Sequence, residues 1–280
     1  MAATVEQKIL LEAKSPFDLR VNLGRNVPDA DVRTALATGD MGFLHSFTTG
    51  STVDGPGVRV VAWTTGCQFR CLYCHNPDTW NMSNGIPVTL SRAIEELRKY
   101  RPGLKAMSGG FTLSGGEPLM QDRFAVKLLS AAHSMGIHTA LDTNGSLGGR
   151  LSDHELRNID LVLLDLKCLN AQRHRELTDA ELEPVLDFAR RLAVLKRPIW
   201  VRFVLVPGWT DDLENVRETA TFSASLGNVE RVDVLPFHQL GRFKWKELQL
   251  EYRLADCQPP TLEKIEQACS QFRRLGLKTY

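Results

Sequence analysis

Six short runs of apolar and β-branched residues recur along the chain from residue 41 onward. They occupy residues 58–65, 110–113, 137–141, 161–166, 199–206 and 229–235. Their nearly continuous hydrophobicity is typical of strands that are buried on both faces of a parallel sheet. We therefore predict a strand in each run.

Segments in which apolar residues recur at helical spacing separate these strands. One of them places Leu90, Ile94 and Leu97 on one face and is preceded by Thr89, a candidate N-cap. Further helices are predicted over residues 119–135, 182–189, 213–226 and 262–272. Strands that alternate with helices indicate a parallel sheet with right-handed crossovers. About six such units, fewer than the eight of a closed barrel, predict an α/β fold of the partial (β/α)6 TIM-like barrel type.

The first forty residues lack this alternation and carry no chemical motif. We therefore interpret residues 1–40 as an N-terminal extension with one short helix, and residues 41–280 as a single domain. The acidic residues among the first forty argue against an organellar transit peptide, although that alternative stays open. No apolar h-region of a secretory signal is present, so a cytoplasmic location is predicted.

Composition narrows the classes of partner. The 34 basic and 33 acidic side chains leave a net charge of +1, which argues against a nucleic-acid partner. No apolar run approaches the roughly 20 residues that span a bilayer, so no membrane association is expected. The six cysteines are too sparse for a disulfide framework in a chain of 280 residues.

Three of those cysteines, Cys67, Cys71 and Cys74, lie within eight residues in a C-x3-C-x2-C pattern. A four-iron cluster normally takes four cysteine ligands, so three from one loop would leave one iron open to a small molecule. The alternative is structural zinc with His75 as the fourth ligand, although such sites usually draw on two separated pairs of ligands. The spacing favours the cluster and leaves zinc as the alternative.

The pattern around these cysteines resembles the signature of the radical S-adenosylmethionine superfamily, C-x3-C-x-aromatic-C, with Tyr73 as the aromatic residue. From residue 42 to the C-terminus, further motifs resemble the family of pyruvate formate-lyase-activating enzymes within that superfamily. These motifs are TVDGPGVR at 52–59, CLYCHN at 71–76, SGGE at 114–117, LDTNG at 141–145, LDLK at 164–167, VPGW at 206–209 and LPFH at 235–238.

The resemblance implies a reaction and its cofactors. One electron from a reduced [4Fe-4S] cluster would cleave S-adenosylmethionine and yield a 5′-deoxyadenosyl radical. That radical would take a hydrogen atom from a glycine of pyruvate formate-lyase under anaerobic conditions and leave a glycyl radical there. A flavodoxin-like or ferredoxin-like electron donor is implied as well.

The alternative is activation of another glycyl radical enzyme, for example a glycerol dehydratase. Many activating enzymes of that kind carry extra cysteines between the cluster loop and the SGGE motif. Residues 76–114 of this chain contain no cysteine, which favours pyruvate formate-lyase as the partner.

Polar residues lie at or just after the carboxyl ends of the predicted strands, the edge at which barrel enzymes build their active sites. They are Glu117, Asp142, Asp165, Lys167 and His238. By resemblance, Cys67, Cys71 and Cys74 hold the cluster, while Lys167 and Asp54 take part in the reaction. The residues that the resemblance implies for S-adenosylmethionine binding are Tyr73, Cys74, His75, Gly115, Gly116, Glu117, Asp165, Leu166, Lys167 and His238.

Asp165 and Lys167 alternate along one predicted strand and should therefore point to the same face. There they could hold polar groups of the ligand, and an internal ion pair is the alternative. By resemblance, Asp142, Thr143 and Asp165 match the positions of a monovalent-cation site.

Three further features have both a functional and a structural interpretation. The turn at 54–57 and Trp209 are predicted to contact a loop of the partner protein; alternatively, the turn only shapes the chain and Trp209 packs on the core. Arg202 interrupts the apolar run 199–206 and needs an anionic partner, for which Asp54 is a candidate; such a pair is either purely structural or has a role toward the substrate peptide.

Overall fold

The computed structural model describes residues 29–280, which form two compact units. The first unit comprises the chain up to Cys67 together with Thr79–Asp142 and Arg150–Asp160. The second comprises Gln68–Asp78, Thr143–Gly149 and Leu161–Tyr280. Most of the predicted N-terminal extension, residues 1–28, lies outside the described residues.

The first unit is built on five strands. They are β1 (Met41–Ser51), β2 (Arg59–Thr64), β3 (Ile86–Thr89), β4 (Gly110–Gly115) and β5 (His138–Thr143). They are ordered β3-β1-β2-β4-β5. β1 runs antiparallel to β2 and β3, whereas β2, β4 and β5 are parallel. The helices of this unit are α1 (Asp29–Thr38), α2 (Leu90–Ala106), α3 (Asp122–Ser134) and α4 (Asp153–Leu156).

Local sequence accounts for the start of α2. The side chain of Thr89 accepts a hydrogen bond from the backbone N–H of Arg92 at 3.3 Å, which satisfies one of the donors that a helix N-terminus leaves free. Ala93, Leu97 and Leu104 are buried along one face of the helix. The predicted cap is confirmed; of the predicted apolar face, Leu97 is buried, whereas Leu90 and Ile94 are half-buried.

The second unit contains three parallel strands in the order β6 (Leu161–Asp165), β7 (Ile199–Leu205) and β8 (Val229–Pro236). Its helices are α5 (Ala171–Thr178), α6 (Glu183–Val194), α7 (Leu213–Leu226), α8 (Arg242–Glu247) and α9 (Leu262–Arg274). Residues 278–280 add backbone hydrogen bonds to the free edge of β8, between Val232 and both Lys278 and Tyr280.

All six predicted strands are present, with ends that differ by at most two residues, and they form two parallel sets of three. α1 agrees with the short helix expected near the N-terminus. β1 and β3 were not predicted: β1 is half-buried and rich in polar residues, and β3 has only four residues, including a proline. The predicted helix 119–135 begins instead as a 3-10 turn, Pro118–Gln121, before α3.

Within residues 29–280, no helix is both long and apolar enough to cross a membrane.

Candidate active site

Cys67 lies three residues beyond the carboxyl end of β2, in the first unit. The backbone N–H of Gly66 donates to the carbonyl of Thr79 at 2.7 Å, and that of Cys67 donates to the carbonyl of Trp80 at 3.1 Å. Gly66 has a φ of 94°, a conformation that favours glycine. The turn that presents Cys67 is therefore held by backbone hydrogen bonds to residues 79 and 80.

Gly115 and Gly116 allow the chain after β4 to lie directly against this turn. A Cβ atom on Gly115 would lie 2.2 Å from the backbone nitrogen and oxygen of Thr64. On Gly116 it would lie 2.4 Å from the carbonyl oxygen of Gly66 and 3.1 Å from the Cβ of Cys67. The two glycines are therefore required by close packing against the cysteine-bearing turn.

Glu117 is fully buried. Its Oε1 accepts a hydrogen bond from the backbone N–H of Leu119 at 3.0 Å and so caps the turn Pro118–Gln121. Its own N–H donates to the carbonyl of Gly66 at 2.8 Å. The carboxylate thus orders the segment after the glycines, and its role in S-adenosylmethionine binding stays a prediction.

Cys71 and Cys74 lie in the second unit, on the loop 68–78. Backbone N–H groups of Arg70 and Leu72 donate to carbonyls of α5, those of Thr178 at 2.7 Å and Leu177 at 3.0 Å. Leu72 also belongs to a buried apolar cluster, so the loop is attached on its apolar side. Burial raises the pKa of the Cys71 thiol.

A segment more than 160 residues later in the chain anchors the same loop. The indole N–H of Trp245 donates to the carbonyl oxygen of Cys74 at 2.9 Å, and Lys244 Nζ lies 2.7 Å from Asn76 Oδ1 and 3.0 Å from an oxygen of Asp78. Sequence reasoning missed both residues, because a lysine and a tryptophan on a short polar helix give no signal of their own.

Lys167 and Asp165 form an ion pair, with Nζ and Oδ2 2.9 Å apart. Lys167 is 7% exposed, and its Nζ lies 5.3 Å from the centre of the Tyr73 ring. Burial lowers the pKa of Lys167, but Asp165, Tyr73 and Cys71 together outweigh this effect and hold the pKa well above its usual value. Burial likewise raises the pKa of Tyr73.

The structure modifies the predicted geometry of this pair. β6 ends at Asp165, so Lys167 belongs to the following loop, whereas the sequence predicted it on the same strand as Asp165. The two side chains nevertheless meet, and Leu166 between them is buried.

His75 and His238 also come together, with ring centres 5.0 Å apart and the rings almost perpendicular. Burial, followed by electrostatic interaction with His238 and Lys244, lowers the pKa of His75. His75 therefore contacts another predicted cofactor residue.

The three residues of the predicted cation site each have a partner within the protein. Ser114 Oγ donates to Asp142 Oδ2 at 2.7 Å, the N–H of Gly145 donates to Thr143 Oγ1 at 3.0 Å, and Asp165 pairs with Lys167. Across residues 29–280, no three His, Cys, Asp or Glu side chains are already gathered around one point as a metal site. The cation site stays a prediction.

The register of β6, β7 and β8 gives Arg202 its neighbours. Arg202 is level with Asp165 on β6 and with Asp233 on β8. Arg202 therefore has an acidic residue at the paired position of each neighbouring strand. The proposed pairing of Arg202 with Asp54 stays a prediction.

Asp54 is 5% exposed and lies before the amino end of β2. Ser51 Oγ donates to Asp54 Oδ2 at 2.5 Å, and Thr112 Oγ1 donates to its backbone carbonyl at 2.6 Å. The six residues of β2, roughly 20 Å of extended chain, separate this turn from the turn that carries Cys67. These contacts support the interpretation in which the turn shapes the chain.

Trp209 packs against the buried apolar cluster of the second unit. Arg253 lies over its ring, 5.7 Å from the centre. This placement supports core packing for Trp209, and its contact with a partner protein stays a prediction.

The donor set fits an iron–sulfur cluster better than zinc. Cys67, Cys71 and Cys74 are free cysteines on one short stretch of chain, as three-thiolate ligation of a cluster requires. The ring of His75, the fourth ligand that zinc would need, packs edge-on against His238.

Comparison with known proteins agrees with this assignment. A sequence profile of the Radical SAM superfamily matches residues 61–220. The chain is 42% identical over 234 residues to the pyruvate formate-lyase-activating enzyme of Staphylococcus aureus (strain USA300), which covers 81% of this chain and 93% of that protein.

Solved structures show the same fold. A domain of a pyruvate-formate lyase-activating enzyme from Bacteroides vulgatus ATCC 8482 superimposes with a TM-score of 0.52 and 30% identity, over 61% of this chain and 98% of that one. A radical SAM methyltransferase from Sphaerobacter thermophilus superimposes with a TM-score of 0.59 over 91% of this chain and 81% of that one. At 15% identity, the second comparison shows the fold alone. The predicted α/β partial-barrel class is thereby confirmed, and the chain belongs to the Radical SAM superfamily, in the family of pyruvate formate-lyase-activating enzymes.

Proposed function

We propose that this chain activates pyruvate formate-lyase under anaerobic conditions by forming a glycyl radical on it. The observation that carries the proposal is the 42% identity to an activating enzyme of that name along 93% of its length. The absence of cysteine from residues 76–114 supports this partner over glycyl radical enzymes whose activating enzymes carry additional cysteines in that segment.

Cys67, Cys71 and Cys74 would hold a [4Fe-4S] cluster. When bound, the cluster supplies the electron that cleaves S-adenosylmethionine and yields the radical that takes hydrogen from the partner's glycine. The protein's own contribution is to hold the ligands and exclude water. Two sets of contacts do the holding: the glycine packing behind Cys67 and the hydrogen bonds of the loop 68–78 to α5 and Trp245.

Lys167 and Asp165 would orient S-adenosylmethionine. The buried ammonium of Lys167 can donate a hydrogen bond to a carboxylate of the ligand, and the half-buried carboxylate of Asp165 can accept hydrogen bonds from its hydroxyl groups. Tyr73, whose ring lies beside Lys167, and the two histidines His75 and His238 would line the same ligand. The backbone of Gly115 and Gly116 would accept from its ammonium group.

Three finer assignments complete the proposal. A flavodoxin-like or ferredoxin-like protein would supply the electron. A monovalent cation would bind near Asp142, Thr143 and Asp165. The cytoplasm would be the compartment, because both the cluster and the glycyl radical chemistry need reducing, anaerobic conditions.

The test is activation in vitro. The anaerobically reconstituted enzyme, reduced with dithionite, is mixed with S-adenosylmethionine and pyruvate formate-lyase. We expect a glycyl radical doublet by electron paramagnetic resonance and formation of 5′-deoxyadenosine. A glycerol dehydratase of the glycyl radical class, treated in the same way, should give no doublet.

Two results would contradict the proposal. Stoichiometric zinc with no iron or acid-labile sulfide after anaerobic purification would refute the cluster assignment. Activation of the dehydratase and not of pyruvate formate-lyase would preserve the chemistry and refute the choice of partner.

A further inference from the structure

The segment that anchors the cysteine loop has an apolar exposed side. Leu240 is 70% exposed and Phe243 is 56% exposed, and Leu248 and Leu250 are also solvent-accessible. The same segment exposes Arg242 and Lys246. The surface, called the 240–250 patch below, is formed by Leu240, Arg242, Phe243, Lys246, Leu248 and Leu250.

The patch carries positive charge that is available to a partner. Residues 240–250 contain the cations Arg242, Lys244 and Lys246 and a single acid, Glu247. Lys244 pairs with Asp78, but neither Arg242 nor Lys246 forms an ion pair with any other part of the described chain. Exposed arginine beside exposed aromatic and aliphatic side chains is the composition of a protein interface.

The patch is joined directly to the loop that holds two of the three cysteines. Trp245, whose neighbours in the chain form the patch, donates its indole N–H to the carbonyl oxygen of Cys74 at 2.9 Å. Gly241 lies so close to His75 that a Cβ atom on it would come within 2.6 Å of the His75 carbonyl oxygen. The patch therefore adjoins, along the chain, the residue that hydrogen-bonds to the backbone of Cys74.

We propose that the 240–250 patch is the docking surface for an acidic one-electron carrier protein that reduces the cluster. The inference rests on the proposed function, since it assumes a cluster at Cys74. In the step, the carrier loses one electron and the cluster gains one, and no covalent bond forms or breaks. Small redox partners bind through interfaces at the low end of the size range, which a patch of six residues suits.

Two other occupants fit the patch less well. A second copy of this chain in a two-fold dimer would place the same cations opposite each other. A substrate loop must deliver a glycine to the bound cofactor, whereas an electron carrier has only to come close to the cluster loop. The positive charge and the contact with Cys74 together favour the carrier.

The first test measures binding, which does not depend on turnover. Flavodoxin is titrated against the cluster-loaded enzyme at low ionic strength, with hydrogen–deuterium exchange of both partners. We expect protection of residues 240–250 and an affinity that falls as salt is added, because exposed charge pairs are screened. The double variant Arg242→Glu/Lys246→Glu should bind at least tenfold more weakly, and Leu240→Ser/Phe243→Ser should also lose affinity.

The matched control is Leu262→Ser/Lys105→Glu, which changes an 85% exposed leucine and an exposed lysine elsewhere. This variant should bind flavodoxin as the wild type does. All variants should cleave S-adenosylmethionine normally with dithionite, which needs no docking surface, and the patch variants should be slow only with reduced flavodoxin.

Unchanged flavodoxin binding by both patch variants would overturn the proposal. Wild-type enzyme that binds neither flavodoxin nor a ferredoxin would also overturn it. Patch variants that bind flavodoxin normally but lose glycyl radical formation with dithionite would overturn it as well, and they would assign the patch to pyruvate formate-lyase. A wild type that binds flavodoxin at the patch but never cleaves S-adenosylmethionine would refute the proposed function alone.

Discussion

At the scale of single residues, the ion pair of Lys167 and Asp165 is the clearest case of a side chain with two possible roles. In the structure the ammonium is almost fully buried and contacts one carboxylate and one aromatic ring. Burying a charge is costly unless it is paired, so the pair explains how Lys167 stays charged. A bound ligand can use the same charge.

Replacing Lys167 by Ala should weaken S-adenosylmethionine binding and leave the iron content normal. A charge-assisted hydrogen bond contributes about 1.5–3 kcal/mol, so we expect roughly a tenfold to hundredfold loss of affinity by calorimetry. The control is Lys127→Ala, which breaks an exposed pair with Asp40 and should change neither quantity. The variant Lys167→Met keeps the side-chain volume and so controls for a folding defect. Unchanged affinity in both Lys167 variants would mean that the ion pair is purely structural.

His174 should make the stability of the protein depend on pH. The residue is 1% exposed, and burial, followed by the charge of Lys167, lowers its pKa to about 4. Between pH 6.5 and about 4 the unfolded chain therefore binds more protons at this position than the folded chain. Its contribution to stability is complete above pH 6.5 and falls by up to about 1.4 kcal/mol per pH unit as the pH is lowered.

The measurement is urea unfolding of wild type and His174→Gln between pH 7.5 and 5. The difference in unfolding free energy between the two proteins should narrow as the pH falls. A difference that is independent of pH would mean that folding does not lower the pKa of His174.

At the scale of elements, the site depends on how closely the end of β2 approaches the chain that follows β4. Gly116 makes this contact, and a Cβ atom there would overlap the carbonyl of Gly66 and crowd Cys67. The local sequence determines that β2 and β4 form, but the close contact between the chain segments that follow them requires a residue without a side chain at position 116.

Gly116→Ala should therefore destabilise the fold and reduce the iron content of the reconstituted enzyme. Overpacking of this kind costs about 1–3 kcal/mol, which thermal unfolding can detect. Gly149→Ala is the matched control, because a Cβ atom there meets nothing within 4 Å. Equal melting temperatures and iron contents for the two variants would contradict the packing argument.

At the scale of the whole molecule, the chain assigns different environments to its six cysteines. Cys168 and Cys269 are buried, and burial raises the pKa of both thiols. Cys257 is half-buried, and its thiol contacts the carbonyl of Pro207 at 3.7 Å. Protonated thiols in such surroundings behave as small apolar groups.

The triple variant Cys168→Ala/Cys257→Ala/Cys269→Ala should therefore retain a full cluster, measured as iron, sulfide and the electron paramagnetic resonance signal of the reduced enzyme. Single replacement of Cys67, Cys71 or Cys74 by Ala should abolish the cluster. Loss of the cluster in the triple variant would show that the ligand assignment is wrong.

Much of the fold and of the candidate site could be predicted from the sequence. The six parallel strands were identified because a strand that is buried on both faces needs an uninterrupted apolar run. β1 and β3 were missed because an antiparallel strand that is only half-buried does not need an uninterrupted apolar run. The cysteine motif was recognised because metal ligation demands particular atoms at particular spacing, whatever the surrounding packing is.

The sequence by itself therefore determined the fold class and the family, and it singled out the three cysteines that we propose as cluster ligands, since each depends on local patterns or ligand chemistry. Only the tertiary structure decided that Arg202 lies between Asp165 and Asp233, and that Trp245 supports Cys74. The second contact joins residues 171 positions apart, and nothing in either local sequence encodes it. Such contacts follow from strand register and from where a short helix packs, which the chain as a whole decides.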